Sequence, residues 1–142
     1  RVADTTLAAL AHRARRDGAT RRPTVLVLGL SYKANAGSLT GTKSAPVAER
    51  LGEVDVRVIG YDPLVDPEAA AAALDVEVVS RIADANADAV LVLVGHDAFA
   101  SLTLDDVLAG TTRHPVVVDL PGVLTPPADD APVDYRSVSD VP

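Results

Sequence analysis

A short apolar run that ends in polar residues decides the fold of this chain: Val25-Leu26-Val27-Leu28-Gly29-Leu30-Ser31-Tyr32-Lys33. Its first four residues are apolar and Gly29 closes them, which is typical of a central strand in a parallel sheet. Tyr32, Lys33 and Asn35 follow directly, and ligands bind at the carboxyl ends of strands in open α/β sheets. Because an aromatic ring suits a base and an ammonium group suits a phosphate, we expect a nucleotide-type ligand there.

The composition limits the kind of protein this can be. A chain of 142 residues with 48% hydrophobic residues fits one domain with a sizeable core. The net charge of −7 argues against a general nucleic-acid surface, because phosphate backbones require clustered Lys and Arg. Charges or prolines interrupt every apolar run, so the sequence predicts neither a membrane span nor a secretory signal. The chain has no cysteine, which favours a cytoplasmic location, and its three histidines lack the spacing of metal ligands.

Segments with strand and helix patterns alternate along the chain. Strands are predicted at residues 24–28, 55–60, 76–79, 89–94 and 115–119, with a weak strand near 133–138. Helices are predicted at residues 2–16, 44–51, 67–74 and 80–86, with short helical turns over 98–109. Strands that are separated by helices imply a parallel sheet covered on both faces. We therefore expect an α/β protein with three layers and a mostly parallel sheet of five to six strands.

A second group of polar residues follows the second predicted strand, at Tyr61-Asp62-Pro63. In a dinucleotide-binding fold an acid at this position holds ribose hydroxyls, but a Gly-x-Gly-x-x-Gly turn must then follow the first strand. That template falls on Gly29, Ser31 and Ala34, so two of its three glycines are missing. The sequence does not favour NAD binding by this domain. We instead predict a turn in which the Asp62 side chain accepts a backbone hydrogen bond.

A third group, Gly95-His96-Asp97-Ala98-Phe99, follows the strand predicted at residues 89–94. A histidine at a strand end could bind a phosphate or carry a proton. The same residues could equally begin the next helix, with Asp97 as its cap and Phe99 in the core. No Gly-x-Ser-x-Gly motif is present to hold the nucleophile of a Ser-His-Asp triad. The residues alone therefore do not define a catalytic site.

The order of these motifs resembles a known family. Residues 27–35 resemble the first strand and loop of the C-terminal, UDP-binding domain of the UDP-glucose/GDP-mannose dehydrogenase family, where Gly-Leu-Ala-Phe/Tyr-Lys-x-Asn follows the strand. The similarity continues through residues 61–63, 87–90 and 95–99 and ends at residues 117–124. These markers occur in the order of the family from about residue 24 to residue 125. The resemblance implies a Rossmann-like three-layer sandwich.

The resemblance also implies a function and a place in a larger enzyme. Full-length members of the family use NAD to oxidise the C6 alcohol of a nucleotide sugar to a carboxylate, and the resemblance points to UDP-N-acetylmannosamine or UDP-glucose. In them an N-terminal Rossmann domain holds NAD, and a central helical domain carries the catalytic cysteine and mediates dimerisation. Residues 1–20 would then be a linker helix from a missing central domain, and residues 21–142 the UDP-binding domain. The expected partners are a UDP-sugar and the missing domains, in a homodimer or a larger oligomer.

By the same resemblance, the loop after the first strand binds the substrate. Tyr32 would pack near the uracil, Lys33 would contact the nucleotide, and Asn35 completes the substrate-binding motif. The family usually continues with Asp-Asp-x-Arg-x-Ser-Pro, but both acids are missing here and Thr40 stands in place of the arginine that faces NAD in relatives. Lys43 follows three residues later and could substitute for that arginine. These departures leave an alternative function, a stand-alone α/β regulatory or interaction module that has lost its ligand.

Overall fold

A computed structural model of the protein describes residues 2–17, 22–31 and 44–137. Within these residues, six strands form one parallel sheet in the order β3-β2-β1-β4-β5-β6. The strands are β1 (Thr24–Leu28), β2 (Arg57–Tyr61), β3 (Glu77–Val78), β4 (Ala87–Val92), β5 (Thr111–Asp119) and β6 (Asp134–Ser137). The α-helices are α1 (Val2–Asp17), α2 (Ser44–Gly52), α3 (Pro67–Leu74) and α4 (Leu104–Leu108), and 3-10 turns lie at Ile82–Asp84 and Asp97–Phe99. No helix in these parts of the chain is long and apolar enough to cross a membrane.

The central strand β1 is buried on both sides. All five of its residues are buried, and it pairs with β2 on one side and β4 on the other. Because successive side chains of a strand point to opposite faces, Val25 and Val27 pack on one face of the sheet. Leu26 and Leu28 pack on the other face. The continuous apolar run predicted this central position correctly.

Each face of the sheet is covered, which gives the three layers that the sequence predicts. On one face, α1, α2 and α3 cover a core of Ala3, Ala9, Leu10, Val25, Val27, Leu30, Leu51, Val56, Ala70, Ala89, Leu91, Val116 and Val118. On the other face, the 3-10 turns, α4 and the segment after β5 cover a core of Leu26, Leu28, Ile59, Ala85, Ala87, Val90, Val92, Phe99, Val107, Val117 and Leu124. The α/β class and the parallel sheet of the prediction are confirmed.

Most strand boundaries differ from the prediction by one or two residues, and two predicted elements differ more. The helix predicted at residues 80–86 is only a 3-10 turn at Ile82–Asp84, and Asn86 then takes a left-handed backbone conformation with φ of 50°. The strand predicted at residues 115–119 begins earlier, at Thr111. Thr111 pairs with Ala87 across an irregularity in the register, and His114 has a φ of 51° there. Polar residues therefore extend β5 through a bulge that an apolar pattern does not reveal.

Helix α1 is joined to the amino edge of the sheet by Arg13. Its Nη1 lies 3.1 Å from Oδ1 of Asp88 in β4. Its Nε and Nη2 donate hydrogen bonds of 2.9 and 2.7 Å to the carbonyl oxygens of His114 and Arg113 in β5. Asp88 also accepts a hydrogen bond of 2.9 Å from the backbone N–H of Thr24. One guanidinium group thus connects α1, β4 and the bulge in β5.

Helix α1 also contributes directly to the core. Ala3, Ala9 and Leu10 are buried, and α1 contacts β4, β5 and α2, while α2 contacts β2 and α3 contacts β3. The helix therefore covers the half of the sheet face that α2 and α3 do not reach. The predicted division at residue 20, with this helix leading in from a preceding domain, stays a prediction.

Candidate functional site

The candidate site lies where the strand order reverses. From β1 the chain moves outward to β2 and β3 and then returns to β4 on the other side of β1. Loops that leave neighbouring strands in opposite directions open a crevice at the carboxyl edge of such a sheet. Three buried polar residues lie on the loops at this edge: Ser31 after β1, Asp62 after β2 and His96 after β4.

The loop after β1 begins with a turn that only glycine permits. Gly29 has a φ of +90°, and a Cβ atom at this position would lie 2.8 Å from both Cβ and N of Val94. The next side chain, Leu30, fills space that Gly60 leaves open, because a Cβ on Gly60 would lie 2.9 Å from Cδ1 of Leu30. The backbone N–H of Gly29 donates to the carbonyl oxygen of Tyr61 at 2.9 Å. The start of the loop is thus packed against both neighbouring strand ends.

Asp62 is the hydrogen-bonding centre of this edge. Its Oδ2 accepts from the backbone N–H of Leu30 at 2.8 Å, and from the N–H and Oγ–H of Ser31 at 3.0 and 2.8 Å. Nε2 of His96 lies 2.9 Å from the same oxygen. Its Oδ1 accepts from the N–H of Leu64 at 2.8 Å, which confirms the predicted turn. One carboxylate therefore joins the ends of β1, β2 and β4.

These contacts fix the charge of the Asp62 side chain. Burial raises the pKa of this carboxyl group, but the hydrogen bonds from His96, Leu64, Ser31 and Leu30 together outweigh burial and hold the pKa below its usual value. Asp62 is therefore an ionised acceptor at neutral pH. An ionised carboxylate offers no proton, so the proton in the contact with His96 is carried by Nε2.

His96 is a buried partner of Asp62 in the described structure. Its side chain is 0% exposed, and its ring lies 5.5 Å from the ring of Phe99, measured between centroids. Phe99 is buried in the core, as the helix interpretation of this segment predicts. The prediction that Asp97 caps the helix is wrong, because the short turn begins at Asp97 and His96 holds the cap position with an extended backbone. The carbonyl oxygen of His96 accepts the N–H of Phe99 at 2.9 Å, which starts the turn one residue earlier.

The two ends of the predicted substrate loop lie beside each other. Ser44, the first residue of α2, is buried, and its Oγ–H donates to the carbonyl oxygen of Leu30 at 3.2 Å. Ser31 at the other end is bonded to Asp62. The segment 32–43 between them lies outside the described residues, and its predicted functional residues are Tyr32, Lys33, Asn35, Thr40 and Lys43. Their roles stay predictions, while the structure places both ends of their segment at the carboxyl edge.

Asp119 is a second structural carboxylate, which the sequence analysis missed. Its Oδ1 accepts from the N–H groups of Gly122 and Val123 at 3.0 and 3.1 Å. Its Oδ2 accepts from the N–H of Leu124 at 2.9 Å and the hydroxyl of Tyr135 at 2.8 Å. The sequence did contain a signal, because Asp119 ends an apolar strand in the same way that Asp62 follows β2. Both acids shape the loops that follow their strands.

The described residues do not fit a bound dinucleotide. Ser31 holds the position of the second glycine in the dinucleotide template, and its N–H donates to Asp62. The Asp62 carboxylate, which would hold ribose hydroxyls, accepts protein donors on both oxygens. The ribose alternative for Asp62 is therefore not supported.

Within residues 2–17, 22–31 and 44–137, no group of three or more His, Asp or Glu side chains is placed to hold a metal ion.

The strand order and the crevice at the carboxyl edge define a Rossmann-type α/β domain. Residues 26–126 match the UDP-glucose/GDP-mannose dehydrogenase family, UDP binding domain. The chain belongs to this family, which confirms the resemblance found in the sequence.

Two characterised relatives support this assignment. Over 110 residues the chain is 33% identical to UDP-N-acetyl-D-glucosamine 6-dehydrogenase of Salmonella typhi, a match that covers 77% of this chain and 25% of that protein. Over 105 residues it is 30% identical to UDP-glucose 6-dehydrogenase of Rhizobium meliloti (strain 1021), which covers 72% of this chain and 24% of that protein. The chain thus spans about a quarter of the length of these relatives.

A solved structure supports the fold independently. UDP-D-ManNAc dehydrogenase from Pyrococcus horikoshii superposes with a TM-score of 0.72 at 17% identity. The superposition covers 97% of this chain and 31% of that one. At this level of identity the similarity shows the fold alone.

Proposed function

We propose that this chain is the C-terminal UDP-binding domain of an NAD-dependent nucleotide-sugar 6-dehydrogenase, which oxidises the C6 alcohol of a UDP-sugar to a carboxylate. One observation carries the proposal: the buried Asp62 carboxylate holds Leu30 and Ser31 at the crevice, directly before Tyr32 and Lys33. The membership of the family supports a UDP ligand rather than another nucleotide.

In this proposal, the loop after β1 supplies the groups that contact the nucleotide. The Tyr32 ring offers an apolar face to the uracil, and the Lys33 ammonium group offsets phosphate charge. The side-chain amide of Asn35 offers both donors and an acceptor to the ligand. The crevice lies at the carboxyl edge between β1 and β4, where ligands of open α/β sheets bind.

The remaining parts of the reaction belong to the rest of the enzyme in this proposal. A preceding N-terminal domain binds NAD, which accepts the hydride when bound, and a central domain brings the catalytic cysteine, since this chain contains none. Residues 1–20 connect to that central domain, and the complete enzyme is a cytoplasmic homodimer or larger oligomer. The names of the two relatives favour UDP-N-acetylhexosamines and UDP-glucose as substrates.

Substitution of Lys33 tests the proposed site. We expect Lys33→Ala to weaken UDP binding about tenfold or more, because losing a charge-assisted hydrogen bond costs about 1.5–3 kcal/mol. Titration of UDP into the 15N-labelled chain, followed by amide chemical shifts, measures weak affinities directly. Arg15→Ala is the matched control, because it removes one positive charge from an exposed position on α1.

The outcomes separate the two functions considered for this chain. Equal UDP affinities of the wild type and Lys33→Ala would contradict the assignment of Lys33. If the wild-type chain does not bind UDP at all, the stand-alone module that has lost its ligand becomes the better explanation.

A further inference from the structure

We infer that Asp62 and His96 are positioning residues for nucleotide binding: they fix the backbone of Leu30 and Ser31, which directly precede the proposed ligand-contacting residues Tyr32 and Lys33. The inference rests on the proposed function and deepens it. Neither side chain is exposed, so both act through the backbone of the loop and not by touching the ligand.

Two backbone hydrogen bonds to Asp62 orient the start of the loop after β1. Oδ2 of Asp62 accepts from two consecutive N–H groups, those of Leu30 and Ser31, at 2.8 and 3.0 Å. Two consecutive N–H groups directed at one atom fix the orientation of two adjacent peptide planes, because each peptide unit is planar. The hydroxyl of Ser31 adds a third bond of 2.8 Å to the same oxygen. Tyr32 is the next residue in the chain after Ser31.

Asp62 is itself held in place by contacts from two loops. Nε2 of His96 contacts Oδ2 from the loop after β4, and the N–H of Leu64 fixes Oδ1 from the loop after β2. The His96 ring packs against Phe99, whose ring centroid lies 6.5 Å from that of Tyr61 at the end of β2. The carboxylate is therefore held from two sides, and any displacement of it moves the start of the loop.

The other two buried carboxylates, Asp88 and Asp119, hold different parts of the sheet. Asp88 is as well buried as Asp62, but it lies in β4 and bonds to Thr24 and the Arg13 guanidinium at the opposite edge. Asp119 bonds to residues of the loop after β5. Both are structural acids of the same type, whereas Asp62 bonds to the residues that lead directly into segment 32–43. A positioning role can thus be separated from general stability.

The test compares two variants of equal chemistry, Asp62→Asn and Asp88→Asn, in the full 142-residue chain. An asparagine replaces one acceptor oxygen by a donor, so Asp62→Asn cannot accept all the bonds that Asp62 accepts. UDP affinity is measured by amide chemical shifts at a temperature where circular dichroism shows each variant folded. We expect Asp62→Asn to weaken UDP binding about tenfold and Asp88→Asn to change it less than about twofold, although both reduce stability.

Equal UDP affinity of Asp62→Asn and the wild type overturns the positioning role and leaves the proposed function intact. Failure of the wild-type chain to bind UDP overturns the proposed function and this inference together. A loss of UDP affinity in Asp88→Asn as large as that in Asp62→Asn overturns the positioning role, because the loss is then explained by reduced folding stability.

A second pair of variants tests the same inference if Asp62→Asn does not fold. His96→Gln keeps an N–H donor for Asp62, and His96→Leu fills a similar volume without one. We expect His96→Leu to weaken UDP binding about tenfold, with His96→Gln closer to the wild type. Hydrogen exchange at the Ser31 amide should be faster in His96→Leu than in His96→Gln. Equal UDP affinities of the two variants overturn the role assigned to the hydrogen bond.

Discussion

At the scale of single residues, three aspartates hold the ends of strands in this sheet. Asp62, Asp88 and Asp119 are all buried, and each accepts a backbone N–H from a different loop or strand. A buried carboxylate is tolerated only when it is paired or hydrogen-bonded, so each acid requires a definite arrangement of its partners. The edges of the sheet are ordered by these acids rather than by apolar packing alone.

The glycine at the start of the loop gives a prediction about stability. We expect Gly29→Ala to lower the free energy of unfolding by about 2 kcal/mol or more, because the new methyl group meets Val94 at a positive φ. Gly52→Ala is the matched control, since a Cβ there has nothing within 4 Å, and we expect a change of less than about 1 kcal/mol. Urea unfolding at neutral pH measures both. Equal stabilities of the two variants would show that the loop relaxes around the methyl group.

The sequence predicted some residue roles and left others open for a physical reason. The turn made by Asp62 was predictable because its partner, Leu64, is two residues away. The role of His96 was not, because its partner lies 34 positions earlier in the chain and is reached only through the sheet. Side chains whose partners are distant in sequence carry no local pattern.

At the scale of elements, the extent of burial decided what was predictable. Strand β1 was predicted at its observed residues because all five side chains are buried, and α3 because an apolar alanine run follows a proline. Strand β3 has only two residues, Glu77–Val78, and the start of β5 lies in a bulge. Strand β3 and the start of β5 form by pairing with a neighbouring strand, and hydrophobic periodicity does not indicate such pairing.

The attachment of α1 to the sheet gives a prediction about this element. We expect Arg13→Ala to lower the free energy of unfolding by about 2–3 kcal/mol, because Asp88 and the carbonyl groups of the β5 bulge lose a largely buried partner. Arg15→Ala, on the exposed side of the same helix, should change it by less than about 0.5 kcal/mol. Chemical unfolding followed by circular dichroism measures both. A negligible effect of Arg13→Ala would mean that α1 is held by its apolar face alone.

At the scale of the whole molecule, the fold is that of the UDP-binding domain of this family. The order of six parallel strands places the polar strand ends at one edge, and the chain spans about a quarter of its relatives. The alternation of strands and helices was sufficient to predict this architecture. The same alternation predicts no helix or strand for segment 32–43, because that segment has no periodic apolar pattern.

The absence of cysteine from the sequence gives a prediction about the whole chain. We expect the purified 142-residue chain to show no reduction of NAD with UDP-glucose or UDP-N-acetyl-D-glucosamine, because its sequence does not favour NAD binding and the oxidation to the carboxylate also needs a thiolate nucleophile. NADH absorbance measures the rate, and a full-length relative assayed in parallel is the positive control. Turnover by this chain alone would contradict the proposed division of labour between domains.

The hydrogen bond between Ser44 and Leu30 has a consequence for how this domain can diversify. Because this bond joins the residue after Gly29 to the first residue of α2, the two ends of segment 32–43 lie close together. Replacing or lengthening it need not disturb the sheet, because doubling a flexible loop adds only about 0.6 kcal/mol of closure entropy. Under the proposed function, exchange of segment 32–43 alone would therefore change the ligand preference of the domain, and grafting the corresponding segment of a relative between Ser31 and Ser44 tests this.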